Sequence, residues 1–458
     1  MNFHQYQSKS KKNEVDEIKH QCKIENIKSK YILSQIFDKL KEVKSLKIIQ
    51  HNKNIQNRLN ISINDYKRYG YIEIELIPSK NEFGKFINIP DKEETYYHIY
   101  FNNKKKESKR NYLNENDRII IIKIMINYHV KNYNELFKEC KCIESMRFNK
   151  FYNQEIISMK GMFYNCSSLK QLDLSNFITD SVTDMSYMFY KCLNIKNLNV
   201  SSFNTNNVVD MCNMFSECSS LNELNLSNFN TIELIDMSGM FAGCQNLKYL
   251  NITNFKTSKV KYLIETFSYC SSLKELDISN FNTDNVINMS YMFHKCSTLK
   301  ELNLSNFNTN NVTNMSNMFY ECSTLKELDL SNFNTNNVSN MDGMFFECPS
   351  LKELNLSNFN TNKVTDMSYM FCECSSLTKL NLCNFTEYKV INLKHMFANC
   401  FSLVELNLSN FDLEKIDNYN SKELFHNCPA RLKRNIQTKG KYNKDNNDNI
   451  DYFWSLFE

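Results

Sequence analysis

The chain has 458 residues, which is enough for more than one domain and for a core of ample size. Its formal net charge of +4 is too small to indicate a nucleic-acid partner by itself. No run of about 18 consecutive apolar residues occurs, so the sequence predicts no transmembrane segment.

The N-terminal residues are polar and lack the pattern of a signal peptide. Residues 1–13 are predicted to be a disordered tail, and no apolar core of the kind that a signal peptide requires follows them. We therefore expect a cytoplasmic protein whose thiols are reduced.

Residues 14–60 are predicted to be a helical segment. Apolar residues from Ile27 to Leu40 recur at helical spacing. The piece from Tyr31 to Leu40 resembles the start of an F-box, which would imply a substrate adaptor for a ubiquitin ligase. An ordinary amphipathic helical module is the other interpretation, because no proline precedes the motif and the usual leucine-rich second half is missing.

Residues 61–130 are predicted to form a small β-rich domain. Three segments rich in β-branched and aromatic residues read as strands, and they are Tyr71–Ile77, Thr95–Phe101 and Arg118–Tyr128. The charged stretch Asn102–Arg110 is predicted to be a solvated hairpin loop. The apolar run Ile119–Ile126 is predicted to be a central strand. We expect this domain to cap the open end of the repeats that follow.

Residues 131–428 are organised by a fixed period of 26 residues. Cysteine marks the period at Cys140, Cys166, Cys192, Cys218, Cys244, Cys270, Cys296, Cys322, Cys348, Cys374 and Cys400. Cys428 follows Cys400 by 28 residues, so the register slips only at the end. A period of this size predicts a stacked solenoid.

Each repeat is predicted to contain a strand and a short helix. The strand pattern LxxLxLxxF turns Leu328 and Leu330 inward. The helix pattern follows, with apolar residues at i, i+3, i+4 and i+7, as in Met341, Met344, Phe345 and Cys348. In the first repeat the helix would span Tyr133–Cys140. Stacking would pair the strands into one parallel sheet, giving an α/β solenoid in which the cysteines form a column of small buried thiols. A disulfide ladder is disfavoured, because the column side chains all point the same way.

The repeat sequence resembles a known family. The stretch Leu299–Phe319, LKELNLSNFNTNNVTNMSNMF, is similar to the BspA-like leucine-rich repeats, in particular the 26-residue variety of mycoplasma and other microbial surface proteins. The resemblance extends from Cys140 to about Phe411. It implies a curved leucine-rich-repeat solenoid with roles in adhesion or protein binding, and it implies no catalytic residue.

The residues between the inward leucines point outward and make the sheet face polar and acidic. Lys300, Lys326 and Lys352 lie beside glutamates and should relieve the repulsion between stacked carboxylates. This face is either a solvated surface or a binding surface for a protein. The candidate binding residues are Glu223, Glu275, Asp277, Glu301, Glu327, Asp329, Glu353 and Glu405.

Residues 429–458 are predicted to be a basic linker followed by an aromatic tail. The tail contains Trp454, the only tryptophan of the chain. It is expected to fold back over the last repeat, and a free docking peptide is the alternative.

No pattern in the sequence points to catalysis. His294 and His395 have no acid or nucleophile at a recognisable spacing. The two close cysteine pairs, Cys140 with Cys142 and Cys372 with Cys374, fall short of the four ligands of a structural zinc site. With 7 glycines, a phosphate-binding glycine loop is hardly available. We therefore expect no enzyme, no metal and no cofactor.

The sequence thus predicts a non-catalytic scaffold that binds a protein on its acidic sheet face. It does not identify the partner or the oligomeric state, and it gives no sign of nucleic-acid binding. A surface adhesin exported by an unrecognised route and an F-box-like adaptor are the alternatives.

Overall fold

The computed structural model describes residues 27–39, 53–59, 71–127, 130, 132–151, 156–412 and 423–438. It divides into two compact units, residues 1–72 and residues 73–458. Within the described part of the chain, no helix is both long enough and apolar enough to cross a membrane. The predicted N-terminal tail, residues 14–26, 40–52 and 60 of the helical segment, residues 61–70 of the β-rich domain and the aromatic tail lie outside the described residues.

The first unit contains two short helices, α1 (Lys30–Lys39) and α2 (Lys53–Leu59). Leu33 of α1 and Ile55 of α2 are buried, and the Arg58 guanidinium of α2 donates a hydrogen bond to the Ile27 carbonyl. Two residues of the predicted apolar stripe, Tyr31 and Ile32, are instead 73% and 53% exposed. Helix α1 therefore lies within the stretch of helical spacing, but Leu33 is buried there while Tyr31 and Ile32 are exposed.

The β-rich region begins the second unit. Its strands are β1 (Tyr71–Pro78), β2 (Gly84–Lys85), β3 (Tyr97–Phe101), β4 (Glu107–Ser108), β5 (Tyr112–Leu113) and β6 (Ile122–Asn127). A 3-10 helix spans Asp91–Tyr96 and includes the first two residues of the predicted strand Thr95–Phe101. Strand β6 lies inside the sheet, between β3 and β1, and its alternate isoleucines are buried. The predicted charged loop, Asn102–Arg110, contains β4 itself, which pairs antiparallel with β3.

One sheet continues from the β-rich region into the repeats. Strand β7 (Ile143–Lys150) pairs antiparallel with β1, placing Met146 opposite Leu76. On its other side β7 pairs parallel with β8 (Gln171–Asp173), placing Met146 opposite Leu172. Since an unpaired strand edge exposes backbone donors and acceptors, β1 covers the edge that the first repeat strand would otherwise leave open.

The repeats stack into a solenoid of parallel strands, as the period predicts. The further strands are β9 (Glu223–Asn225), β10 (Tyr249–Asn251), β11 (Lys379–Asn381), β12 (Glu405–Leu408) and β13 (Ile436–Thr438). The offset is one repeat in the pairs β9–β10 and β11–β12, so that Leu224 lies opposite Leu250 and Leu380 opposite Leu406. A second line of parallel bridges, 26 residues apart, runs from Ser158 to Asn392.

The core of the solenoid consists of columns of identical side chains. Leu328 and Leu330 are buried, as predicted for the inward face of the strand segment. Phe319 stacks between Phe293 and Phe345, with ring centroids 5.7 and 5.6 Å apart. The cysteine column is buried and its thiols are free. A representative thiol, that of Cys322, donates to the Phe293 carbonyl at 3.2 Å, which satisfies a polar group that packing alone would leave unpaired.

The helix predicted for each repeat is wrong, and a stack of turns takes its place. The amides of Met341 and Phe345 donate to carbonyls of the next repeat, whereas Met344 donates to Met341 three residues back. Gly343 and Glu347 have φ of 54° and 51°, in the left-handed region. Turns of this kind bring the same apolar positions inward as a helix would, while their amides bond to the neighbouring repeat. The predicted helix Tyr133–Cys140 is replaced in the same way.

We expect Gly343→Ala to lower the free energy of unfolding by about 1–2 kcal/mol, because a Cβ is disfavoured in left-handed backbone. The added Cβ would also meet the amide oxygen of Asn317. Urea unfolding followed by circular dichroism measures the change. The reverse substitution Asn165→Gly, at a residue with φ of 54°, should not lower the stability, and an equal loss in both variants would contradict this account.

The C-terminal end of the solenoid adds structure where a linker was predicted. Residues 432–435 form a helical turn, α3 (Leu432–Asn435), and β13 then pairs parallel with β12, placing Ile436 opposite Leu406. The side-chain amide of Asn435 donates to the Val404 carbonyl at 3.0 Å. This part of the basic segment therefore extends the sheet by one strand.

Candidate functional site

The sheet face of the solenoid carries the residues that the sequence singles out. Along each strand segment the leucines turn inward, and the residues between them turn outward into solvent. All eight candidates are exposed, and they are Glu223, Glu275, Asp277, Glu301, Glu327, Asp329, Glu353 and Glu405. Their placement on this face is therefore as predicted, and their role in binding stays a prediction.

The central glutamates of this face form no ion pair with their lysine neighbours among the described residues. Glu301, Glu327 and Glu353 occupy the same position in successive repeats, and paired strands are spaced by about 4.8 Å. In the described part of the chain none of the three glutamates forms an ion pair, and the relief expected from the adjacent lysines stays a prediction. The ion pairs of this face lie elsewhere and join Arg147 to Asp173, Lys170 to Glu144 and Lys379 to Glu405.

A groove of about 1050 Å³ opens on the C-terminal half of the sheet face. Four of the eight candidates line it, and they are Glu327, Asp329, Glu353 and Glu405. Lys379, Arg434 and Gln437 also line the groove. Glu223, Glu275, Asp277 and Glu301 are not among its lining residues.

Part of the groove is lined by residues that follow Cys428 in the chain, and the sequence analysis did not predict these residues. Arg434 and Gln437 come from α3 and β13, inside the interval interpreted as a linker. One signal was present, because the Cys428 thiol donates to the Phe397 carbonyl just as the column thiols do in regular repeats. The cysteine at position 428 thus marked a further turn of the solenoid despite the slip in spacing.

Local hydrogen bonds keep two aspartates of the face charged. The Ser279 hydroxyl donates to Asp277 at 2.6 Å, and this bond together with the Ser279 amide lowers the pKa of the aspartate. The Ser331 amide donates to Asp329 at 2.9 Å and, with the Ser331 hydroxyl, lowers the pKa of that carboxyl. The face therefore offers carboxylates that stay ionised below the usual aspartate range.

The histidines and close cysteine pairs of the sequence do not assemble into a reactive cluster in the described residues. His294 lies among tyrosine rings, and burial together with Lys295 lowers its pKa to about 4. The predicted cysteine pairs are buried. Across the described ranges, no three His, Cys, Asp or Glu side chains are arranged to hold a metal ion.

Comparisons with solved structures found matches of low sequence identity. A crystal structure of a TLR13–ssRNA13 complex is 17% identical, with 63% of this chain and 53% of that chain covered and a TM-score of 0.18. The functional domain of InlJ from Listeria monocytogenes, described as including a cysteine ladder, is 14% identical, with 69% and 70% covered and a TM-score of 0.15. The chain thus spans about half the length of the TLR13 chain.

Comparison with the curated proteins gave no match. A protein family matches the chain three times, over residues 131–250, 235–345 and 322–438. These matches coincide with the repeats and continue through β13, the last described strand. The chain therefore belongs to the family described as Mycoplasma protein of unknown function, DUF285.

Proposed function

We propose that this protein is a non-catalytic scaffold that binds a partner protein on the acidic sheet face of its solenoid. The observation that carries the proposal is the groove in which Glu327, Asp329, Glu353 and Glu405 lie together. Repeat solenoids offer extended surfaces of this kind to their partners. The β-rich region would act as the N-terminal cap of the scaffold.

The charge of the groove supports a partner surface rich in lysine or arginine. Glu327 and Glu353 have no internal counter-ion among the described residues, so a partner cation would relieve repulsion within the face. The pairing of Lys379 with Glu405 at 2.9 Å gives an internal example of such a contact. A cytoplasmic setting is part of this proposal, because the buried free thiols suit a reducing compartment.

Charge reversal on the sheet face tests the proposal. We expect the triple variant Glu301→Lys, Glu327→Lys and Glu353→Lys to capture its partner from the native lysate at least about tenfold less, because like charges across an interface are repelled. Capture is quantified by mass spectrometry with the full chain as bait. Circular dichroism should show an unchanged fold, since all three side chains are exposed.

The control makes the same change of charge away from the sheet face. Glu82→Lys, Glu94→Lys and Glu115→Lys replace exposed carboxylates of the β-rich region and raise the net charge equally. Capture should survive in this control. Full capture by the sheet-face variant, or equal loss in both variants, would remove the sheet face as the binding surface.

A further inference from the structure

The groove on the sheet face carries opposite charges at its two ends. Five successive strand segments line it, and they contain Leu328, Leu354, Leu380, Leu406 and Ile436. Glu327, Asp329 and Glu353 belong to the first two segments, whereas Arg434 lies beside the last one. Since neighbouring segments are about 4.8 Å apart, three to four intervals, or about 14–19 Å, separate the arginine from the two glutamates.

The charges at the two ends are available to a ligand. Lys379 and Glu405, which lie between the ends, pair with each other at 2.9 Å. In the described part of the chain, Glu327, Glu353 and Arg434 form no ion pair. A ligand that carries a cation and a carboxylate at the matching distance would therefore meet an opposite charge at each end of the groove.

The groove coincides with a departure from the repeat pattern. In the regular repeats the two residues before the inward leucine are lysine and glutamate, as in Lys326 and Glu327. In the repeat after that of Glu353, the same positions hold Thr378 and Lys379, and both line the groove. The column of glutamates is thus interrupted inside the groove, which confines the acidic end to the first two segments.

A row of side-chain amides runs along the groove between its charged ends. Asn355, Asn381 and Asn407 occupy one position in three successive repeats and line the groove. Their side-chain oxygens accept hydrogen bonds from the backbone amides two residues on, at 3.1, 3.2 and 3.0 Å. Because these bonds occupy the oxygens, the NH2 groups remain to donate to a ligand. Gln437 lies opposite Asn407 in β13 and extends the row by one residue.

The dimensions and the donors of the groove suit an extended peptide. An extended chain rises about 3.3 Å per residue, so about four to six residues span the distance between the charged ends. The carbonyl groups of such a chain need hydrogen-bond donors once they leave water, and the amide row supplies them. The leucines between the polar rows give the groove an apolar floor, on which apolar side chains of the peptide can pack.

We propose that the groove binds an extended segment of the partner protein in which a lysine or arginine and an aspartate or glutamate are about five residues apart. The cation of the segment pairs with Glu327 and Glu353, and its carboxylate pairs with Arg434. The NH2 groups of Asn381 and Asn407 donate to carbonyl groups between these two charges. This inference rests on the proposed function and adds to it the second charge and the spacing of the two charges.

Binding of a fluorescein-labelled peptide to the full chain tests the proposal. The probe has capped ends, two adjacent lysines and one glutamate, with four serine or threonine residues between the lysines and the glutamate. The comparison peptide has the same composition, but its glutamate directly follows the lysines. At low ionic strength we expect the comparison peptide to bind about threefold more weakly, because its two kinds of charge cannot reach both ends of the groove. No binding of the probe, or the same Kd for both peptides, would overturn the proposal.

A double-mutant cycle tests the contact with Arg434. Arg434→Gln should weaken the Kd of the probe about threefold and should not change the Kd of a probe whose glutamate is replaced by glutamine. The matched control is Arg431→Gln, which removes the same charge at an exposed residue that does not line the groove, and it should leave the Kd unchanged. Equal weakening for both probes would contradict a contact between Arg434 and the carboxylate.

Capture from the native lysate separates this inference from the proposed function. If the inference holds, Arg434→Gln reduces capture of the partner about threefold, as it does for the probe. If capture is lost in the charge-reversal variant of Glu301, Glu327 and Glu353 but unchanged by Arg434→Gln, the sheet face remains the binding surface and the inference about the second charge is wrong. Full capture by the charge-reversal variant would instead contradict the proposed function itself.

Discussion

Raising the pH above about 9 should unfold the solenoid, and the buried cysteine column is the reason. Burial raises the pKa of the Cys296 and Cys348 thiols to about 12, and it raises the pKa of Cys322 well above its usual value. An unfolded thiol ionises at a pKa of about 8.5. As the pH rises, the thiols of the unfolded chain therefore lose their protons before those of the folded chain do. This difference favours the unfolded state.

The sign and size of the effect follow from proton linkage. Since the folded pKa is the higher one, stability is full below pH about 8.5 and is lost as the pH rises toward about 12. Each column thiol then costs up to about 1.4 kcal/mol per pH unit. Summed over the column, the loss exceeds the about 5–15 kcal/mol by which domains are usually stable. We expect complete unfolding by pH about 10.

Urea unfolding at a series of pH values between about 7.5 and 9 measures this slope. The double variant Cys296→Ala and Cys348→Ala should have a slope smaller than the wild type by up to about 2.7 kcal/mol per pH unit, because two linked protons are removed. Val338→Ala, at a buried residue without an ionisable group, is the control and should keep the wild-type slope. Identical slopes in all three proteins would show that the column thiols do not hold their protons.

The sequence predicted the solenoid well and the shape of each repeat only in part. A 26-residue repeat can bury its apolar edge only by stacking on its neighbours. The parallel sheet, with Leu328 and Leu330 on its buried side, could therefore be predicted from the sequence. Spacing alone could not distinguish a helix from stacked turns, because both structures place the residues i, i+3, i+4 and i+7 on the same face. The overlooked signal was glycine, since Gly239 and Gly343 sit where a helix would be weakened.

For the candidate site, too, only the residues that follow from a local sequence pattern could be predicted. Glu327 and Glu353 could be placed on the exposed face, because alternation along a strand fixes which side chains point outward. Arg434 and Gln437 could not be predicted as part of the site. The segment after Cys428 lacks the sequence pattern of the repeats, and its pairing with β12 is a tertiary contact. The ring contacts of the turns were missed for another reason: the position of Tyr291 and Tyr369 varies from repeat to repeat, on the side predicted to be helical.

Phe319→Ala should remove about 3–5 kcal/mol from the free energy of unfolding, the usual cost of truncating a buried phenylalanine. The Phe319 ring is fully buried and stacks on Phe293 and Phe345 in the two neighbouring repeats, at 5.7 and 5.6 Å. Alanine would leave a cavity between two rings that belong to repeating turns. Those turns are held by hydrogen bonds to the next repeat, so they have little freedom to collapse into the space.

The matched control is Phe401→Ala, which removes the same ring from a side chain that is 59% exposed. Its cost should be below about 1 kcal/mol, because little apolar surface leaves the core. Urea unfolding of both variants measures the difference. In a solenoid each repeat is stabilised mainly by its neighbours, so a break at Phe319 weakens two interfaces at once and should also broaden the transition. Equal costs for the two variants would mean that ring stacking does not couple the repeats.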